Sequence, residues 1–172
     1  GWGFGEDRDS ELWRNNGDGT FSPMELGIPS THTYDNWSGA WGDLDNDGDQ
    51  DVLLVNGGYD GPGKLRLYRN DLDTTGAFTA VTVAAGIRTD MKAWWGASFA
   101  DYDRDGWLDI VATARSMYQV APCCTGSISA FEDPTGTLVV YRNMGDGTFE
   151  DMSSTINGPQ MWFDLKNPVW WD

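Results

Sequence analysis

A nine-residue acidic pattern, D-x-D-x-D-G-x-x-D, occurs at residues 43–51 and again at 101–109, and it constrains this chain more than any other feature. Carboxylates this close together repel one another unless a cation lies among them. Alternate positions 1, 3 and 5 turn their side chains to one centre, and the glycine at position 6 permits a sharp bend. Position 7 can offer a main-chain carbonyl, and the aspartate at position 9 completes the shell. Oxygen-only ligands in a flexible loop are typical of Ca²⁺.

The pattern predicts two calcium sites, each with side-chain ligands at positions 1, 3, 5 and 9 and a main-chain oxygen at position 7. The alternative is an acidic surface turn that binds no metal, which the recurrence of the pattern disfavours. The predicted ligands are Asp43, Asp45, Asp47, Asp49 and Asp51 in the first loop, and Asp101, Asp103, Asp105, Trp107 and Asp109 in the second.

Neither loop is an EF-hand, which requires a glutamate at position 12 and flanking helices. Leu54 and Ala112 stand at position 12 here. Each loop also runs into a short apolar segment, residues 52–55 and 110–113, that is partly β-branched and is typical of a strand. We therefore expect calcium loops that connect β-strands.

A second phrase recurs as LWRN at residues 12–15, LYRN at 67–70 and VYRN at 140–143. Each copy is followed by a turn and an aromatic residue, and two of the turns contain Asp-Gly-Thr-Phe. Asp-Gly between two strand-like runs is a strong hairpin signal, because both residues tolerate positive φ. We expect the return strands to end at Gly27-Ile28 and Gly86-Ile87, with Ile156 in a similar place.

Hairpins and acidic loops alternate along the chain, and the segment before each loop repeats as WSGAWGD at 37–43 and WGASFAD at 95–101. A third copy, residues 162–172, keeps the first and last carboxylates but has Lys166 and Pro168 between them, so we expect it to have lost its metal. The loop spacing is 58 residues (101 − 43) and then 63 (164 − 101). About four short strands per period, with no expected helix, is typical of β-propeller blades.

The predicted architecture is one all-β repeat domain over residues 1–172. Its approximate units are 1–36 (a partial blade), 37–94, 95–161 and 162–172 (the start of a blade with the degenerate loop). Propellers usually close with four to eight blades. The expectation is therefore a part of a larger propeller, or a subunit that assembles head to tail with other copies.

These phrases resemble the FG-GAP/VCBS repeats of integrin α-chain heads and of many bacterial surface and secreted proteins. The hairpin phrase followed by GAWGDLDNDGDQD is similar to the bacterial and cartilage-acidic-protein-like subgroup. The resemblance implies a β-propeller with Ca²⁺ held by the aspartates of both loops, and main-chain oxygens given by Asp49 and Trp107. It does not extend to an integrin-style ligand face, because the FG and GAP motifs are matched only in part.

Charge and motifs exclude several classes of function. The net charge of -16 disfavours nucleic acid and anionic membranes as partners, and no apolar run is long enough to span a membrane. The one histidine, His32, accompanies no nucleophile or metalloprotease motif, so we expect no enzymatic activity. Calcium loops and the sequon at Asn36 fit an extracellular or cell-surface setting. The adjacent Cys123 and Cys124 leave a strained disulfide, an intermolecular bond and free thiols all open.

The sequence thus favours a calcium-binding scaffold that is structural, adhesive or filament-forming, with copies of itself or the rest of a longer chain as partners. The alternatives are a calcium-dependent carbohydrate-binding module, which would contact glycans or a surface protein, and a non-catalytic part of a larger secreted enzyme. The 10 tryptophans suit sugar stacking. Repeat-equivalent positions predict, however, that Trp37, Trp41, Trp95 and Trp162 fill the core, leaving Trp107, Trp170 and Trp171 as candidate contacts.

Overall fold

The computed structural model describes residues 11–24, 27–28, 36–56, 64–87, 92–116 and 136–156. Within these ranges the chain forms ten β-strands and one short helix. In chain order they are β1 (Leu12–Asn15), β2 (Phe21–Met24), β3 (Asn36–Gly42), β4 (Asp51–Asn56), β5 (Leu65–Asp71), β6 (Ala77–Ala80), β7 (Lys92–Ala100), β8 (Asp109–Ser116), β9 (Gly136–Asn143), β10 (Phe149–Asp151) and α1 (Ser153–Ile156). No helix among the described residues is long and apolar enough to cross a membrane.

The strands form one hairpin and two four-stranded antiparallel sheets. Strands β1 and β2 pair with each other, while the sheets have the orders β3-β4-β5-β6 and β7-β8-β9-β10. Each four-stranded sheet joins the two strands around an acidic loop to the hairpin that follows. We call β1–β2 with residues 27–28 the first unit, β3–β6 with residues 81–87 the second, and β7–β10 with α1 the third. The prediction of an all-β fold built from propeller-type blades is confirmed.

The core lies between the second and third units. Strand β4 is buried along most of its length, because its Val-Leu-Leu-Val run packs on both faces of the sheet. One apolar cluster joins Leu53 and Val55 of β4 to Ile110 of β8 and Tyr141 of β9. A smaller cluster of Val52, Tyr68 and Phe78 packs against Leu12 and Ile28 of the first unit. The units therefore stack on one another through apolar faces.

Two expectations about local structure were wrong. The return strands end earlier than expected, at Met24 in β2 and Ala80 in β6, and Gly86-Ile87 belongs to a turn that follows. That turn is held by main-chain bonds, such as the one from the Ile87 N–H to the Thr82 carbonyl, with an N···O distance of 3.1 Å. A one-turn helix, α1, also follows β10, where no helix was expected. Its four residues are too few for any sequence periodicity to reveal.

Candidate metal centre

Both acidic loops connect the first two strands of a sheet. The first joins β3 to β4 and the second joins β7 to β8, so each loop begins where the edge strand ends and closes as the next strand starts. The backbone bends at the same two positions in both. Asn46 and Arg104 have φ of 57° and 64°, and Gly48 and Gly106 have φ of 97° and 92°. Glycine at position 6 meets this left-handed requirement without steric cost.

The first aspartate of each loop holds the bend closed. The Asp43 carboxylate accepts main-chain N–H bonds from Asp47 and Gly48, both at 3.1 Å. Asp101 accepts the equivalent bonds from Asp105 at 3.0 Å and Gly106 at 3.1 Å. Because the same bonds form twice, the loop geometry follows from the pattern itself.

The last aspartate of each loop is buried and ties the loop to the hairpin. Asp51 accepts N–H bonds from Leu44 and from Asn70 of β5, each at 2.8 Å. Asp109 accepts them from Tyr102 at 3.0 Å and from Asn143 of β9 at 2.8 Å. A carboxylate oxygen that accepts one hydrogen bond keeps a second lone pair, so these groups can also coordinate a cation.

Carboxylate oxygens converge in both loops. One oxygen each from Asp43, Asp45 and Asp47 lie within 4.8 Å of one another, and so do oxygens of Asp101, Asp103 and Asp109. Asp51 and Asp105, which were also predicted as ligands, are not part of these two groups. Main-chain coordination by Asp49 and Trp107 stays a prediction. The donor set is oxygen alone, which fits a hard cation such as Ca²⁺.

Two side-chain oxygens in the first loop support this fit, because Asp45 Oδ1 and Asp49 Oδ1 are buried and have no hydrogen-bond partner among the described residues. A buried polar atom is normally paired. Burial, followed by the charge of Asp47, raises the pKa of both Asp45 and Asp49. Burial also raises the pKa of Asp51 to about 6 and raises that of Asp109. A divalent ion at the centre would reverse these shifts, because it favours the charged carboxylate.

The loops also contact each other. Asn46 Nδ2 donates to the Gly106 carbonyl of the second loop at 3.3 Å. The buried Asn143 side chain donates to the carbonyls of Leu44 at 2.8 Å and Leu108 at 3.1 Å, one in each loop. Since the Asn143 N–H is bonded to Asp109, a single residue of β9 links both loops.

Arginines of the hairpin phrase lie beside the loops but have different partners. Arg142 forms ion pairs with Asp103 (Nε to Oδ2, 2.7 Å) and Asp105 (Nη2 to Oδ2, 3.2 Å). The contact between Arg142 Nε and Asp103 Oδ2 is close enough for an ion pair, but the N–H does not point at the oxygen as a hydrogen bond requires. Arg69, the equivalent residue of β5, instead pairs with Asp71 of its own strand at 2.9 Å. Sequence reasoning missed these arginine and asparagine roles, although the recurrence of Arg-Asn at the same hairpin position was the signal for them.

The aromatic predictions were partly wrong. Trp41 and Trp95, expected in the core, are 49% and 50% exposed, while the neighbouring Trp94 is 1% exposed. The cause at Trp95 is a register shift between Trp94 and Gly96, which places Trp95 in a β-bulge. Trp107, expected to be an exposed contact, is half-buried and its ring lies against Gly145.

Other predicted features lie at the margin of the described residues or beyond it. Asn36, the sequon asparagine, is half-buried at the first position of β3, opposite Asn56. The remaining predictions fall outside what the structure describes: the side chain of Trp37, then Cys123, Cys124, His32, Trp162, Trp170, Trp171 and the degenerate loop at 162–172.

Comparison with known proteins gives one relationship. A family model described as FG-GAP-like repeat matches residues 2–54 and 48–112, which together span residues 2–112 and both acidic loops. Searches of the curated proteins and of the solved structures gave no match. The family match covers more than half of the 172 residues and agrees with the sheets around the loops. The chain therefore belongs to the family of FG-GAP-like repeat proteins.

Proposed function

We propose that this chain is a non-enzymatic calcium-binding protein that acts as a structural, adhesive or filament-forming scaffold outside the cell or at its surface. The observation that carries the proposal is the convergence of three carboxylate oxygens within 4.8 Å in each of two loops. One Ca²⁺ in each loop would change the net charge from -16 to -12 (-16 + 4). The hairpin phrase further supports a place in the bacterial and cartilage-acidic-protein-like subgroup.

Calcium in these loops would have a structural role. Each loop joins the first two strands of its sheet and is tied to the hairpin that follows through Asp51 or Asp109. An ion that binds the folded state alone adds to its stability, in proportion to the logarithm of the ion concentration above Kd. Loops of this kind that bind in the millimolar range suit extracellular calcium.

The first and last carboxylates of each loop are poor candidates for acid–base catalysis. Asp43, Asp51, Asp101 and Asp109 each use both oxygens to accept main-chain N–H bonds that define the loop. A catalytic carboxylate has to contact substrate and exchange a proton with it. These groups are instead committed to holding the backbone, which supports the non-enzymatic proposal.

The test is isothermal titration of chelator-treated protein with Ca²⁺, together with thermal unfolding at each addition. We expect two equivalents to bind and the unfolding temperature to rise, with reversal by EDTA. Asp45→Asn and Asp103→Asn should each remove one equivalent. Glu150→Gln, which removes an exposed charge of β10, should bind two. A titration without heat or stabilisation, or an unchanged stoichiometry in both loop variants, would remove calcium from the proposal.

Carbohydrate binding is the second candidate, favoured by the exposure of Trp41 and Trp95. Trp41 lies two residues before Asp43, so a sugar stacked on its ring could reach a loop-bound ion. A glycan array with and without EDTA tests this, with Trp41→Ala and Trp95→Ala as the variants. Specific hits that EDTA and either variant abolish would favour a lectin-like module, alone or as a non-catalytic part of a larger secreted enzyme.

A further inference from the structure

The two acidic loops differ in charge, although their patterns match. The first loop, residues 43–51, has five aspartates and no basic residue, so its formal charge is -5. The second, residues 101–109, has four aspartates and Arg104, so its formal charge is -3 (-4 + 1). Position 7 is part of this difference, with Asp49 in the first loop and Trp107 in the second. The affinity of a calcium loop depends on the charge of its ligands, which favours tighter binding by the first loop.

Arg142 of β9 lowers the charge of the second loop further. Its Nε lies 2.7 Å from Asp103 Oδ2, and its Nη2 lies 3.2 Å from Asp105 Oδ2. The side chains of Arg142, Asp103 and Asp105 are 36%, 23% and 29% exposed, so water screens these pairs only in part. With Arg142 included, the charge at the second loop is -2 (-3 + 1).

The arginine also coincides with a change in which carboxylates converge. In the first loop the converging oxygens come from positions 1, 3 and 5, whereas in the second they come from positions 1, 3 and 9. Asp105, at position 5, pairs with Arg142 and lies outside the converging group, while its counterpart Asp47 belongs to it. Asp103 belongs to the group and contacts Arg142 as well. Arg142 therefore contacts two of the predicted ligands of the second loop.

The equivalent arginine of the second unit pairs with an acid outside its loop. Arg69 Nε lies 2.9 Å from Asp71 Oδ1, and Asp71 is the residue that follows the Arg-Asn pair. In the third unit the residue that follows this pair is Met144, which has no charge. The first loop accordingly keeps its full set of carboxylate charges, while the second shares two of its carboxylates with an arginine.

We propose that Arg142 competes with calcium for the second loop, so that the two loops fill at different calcium concentrations. This inference rests on the proposed function, because it requires both loops to bind Ca²⁺. A guanidinium and a divalent cation both bind carboxylates through their negative charge, so each weakens the binding of the other. The first loop, with more charge and its arginine paired elsewhere, fills at the lower concentration. The second loop fills at a higher one and releases Arg142.

A second acid lies close to Arg142 on the neighbouring strand. Glu150 of β10 is directly opposite Arg142 in the antiparallel register. Directly opposite residues share one face of a sheet, and opposite charges at such positions attract. The counterpart of Glu150 in the second unit is Thr79, which is opposite Arg69 and has no charge. We expect Arg142 to turn toward Glu150 as the second loop fills, which lowers the cost of releasing it.

The test is isothermal titration of chelator-treated protein with Ca²⁺, with each loop isolated in turn. Asp45→Asn leaves the second loop to bind alone, and Asp103→Asn leaves the first. We expect the second loop to bind about tenfold more weakly than the first. In the Asp45→Asn background, Arg142→Gln should tighten binding by about five- to tenfold.

Arg14→Gln is the matched control, because Arg14 is the equivalent arginine of the first unit and is exposed. It removes the same charge from the molecule and should change the affinity of either loop by less than about twofold. Met144→Asp leaves Arg142 in place and should give a smaller gain at the second loop, so the inference does not depend on one variant. Circular dichroism in EDTA verifies the fold of each variant.

Nuclear magnetic resonance gives a readout of the arginine itself. The Nε–H signal of Arg142, assigned by its loss in Arg142→Gln, should shift as the second equivalent of Ca²⁺ binds to wild type. It should change little with the first equivalent, which fills the other loop. A signal that stays constant through both equivalents would contradict the release of Arg142.

Three results would overturn this inference and leave the calcium proposal intact: a second loop that binds as tightly as the first, an Arg142→Gln variant that binds like its parent, and a control that gains as much as Arg142→Gln. The last result would assign the gain to the overall charge of the molecule. Absence of calcium binding at both loops would instead contradict the proposed function and this inference together.

Discussion

The two acidic loops share a sequence pattern, a backbone bend and a set of carboxylate hydrogen bonds. They differ in whether the neighbouring arginine of the hairpin pairs with the loop. In the second loop Arg142 contacts Asp103 and Asp105. In the first, Asp71 holds Arg69 on its own strand, and Met144 stands at the equivalent position of the third unit. The arginine therefore pairs with an acid outside the loop where Asp71 follows the Arg-Asn pair, and with acids inside the loop where Met144 follows it.

The loops also differ in how they depend on each other. Asn143 is 2% exposed and donates to carbonyls of both loops, whereas the equivalent Asn70 side chain donates to Gln50 in the first loop only. The first loop therefore relies on a residue of the third unit, and the second has no such support from Asn70. Identical patterns acquire unequal roles from what packs beside them.

Removing the last aspartate of a loop should give the largest effect, and it tests what the two loops share. Asp109→Ala leaves the N–H groups of Tyr102 and Asn143 without their acceptor, and buried groups left unpaired cost about 1–3 kcal/mol each. We expect a loss of about 3–5 kcal/mol by urea unfolding in EDTA. Asp51→Ala should cost about as much, because it also leaves one buried N–H group, that of Leu44, and one partly buried N–H group, that of Asn70, without an acceptor. Clearly unequal losses would contradict the equivalence of the two carboxylates.

Asn143→Ala should follow, with a loss of about 2–3 kcal/mol, because it orphans the buried Leu44 carbonyl and releases Leu108. It should also weaken calcium binding at the first loop, measured by titration in an Asp103→Asn background. The matched variant Asn70→Ala should cost about 1 kcal/mol, since its bond to Gln50 is exposed. A calcium affinity of the first loop that Asn143→Ala leaves intact would show that the link carries no coupling.

Met144→Asp places an acid in the third unit at the position where Asp71 pairs with Arg69 in the second. We expect this acid to draw Arg142 away from the carboxylates of the second loop. Exposed ion pairs contribute at most about 1 kcal/mol, so we expect a roughly two- to fivefold gain in calcium affinity at the second loop. Titration in an Asp45→Asn background isolates that loop. Adding Arg142→Gln should abolish the gain, which distinguishes release of the arginine from a general effect of the added charge. Asp71→Met should weaken the first loop by a similar factor.

The smallest expected effect concerns Arg104, which has φ of 64° where the first loop has Asn46 at 57°. Asparagine tolerates the left-handed region better than arginine does. Arg104→Asn should therefore stabilise the protein by about 0.5–1 kcal/mol, and Asn46→Arg should destabilise it similarly. Thermal unfolding in EDTA measures both without interference from bound metal.

The positions of the strands and of the acidic loops could be predicted from the sequence, because the patterns that indicate them are local. The Val-Leu-Leu-Val run of β4, the hairpin phrase and the spacing of aspartates each lie within about ten residues. The exposure of Trp95 was not predictable in this way, because a bulge moves a side chain to the other face without changing composition. Nor was the bond from Asn143 to Leu44, whose partners lie 99 residues apart. Such contacts are set by the stacking of units rather than by any local pattern.

The position of Asn143 bears on how the folded chain opens. In stacked repeats, stability is the sum of what each unit contributes and what each junction adds, so a weak junction lets one unit unfold alone. Asn143 places buried hydrogen bonds across the junction between the second and third units. These two units should accordingly exchange their most protected amides at one common rate, as a single cooperative block. The first unit, which meets the second through Leu12, Gly27 and Ile28, would be the part that frays.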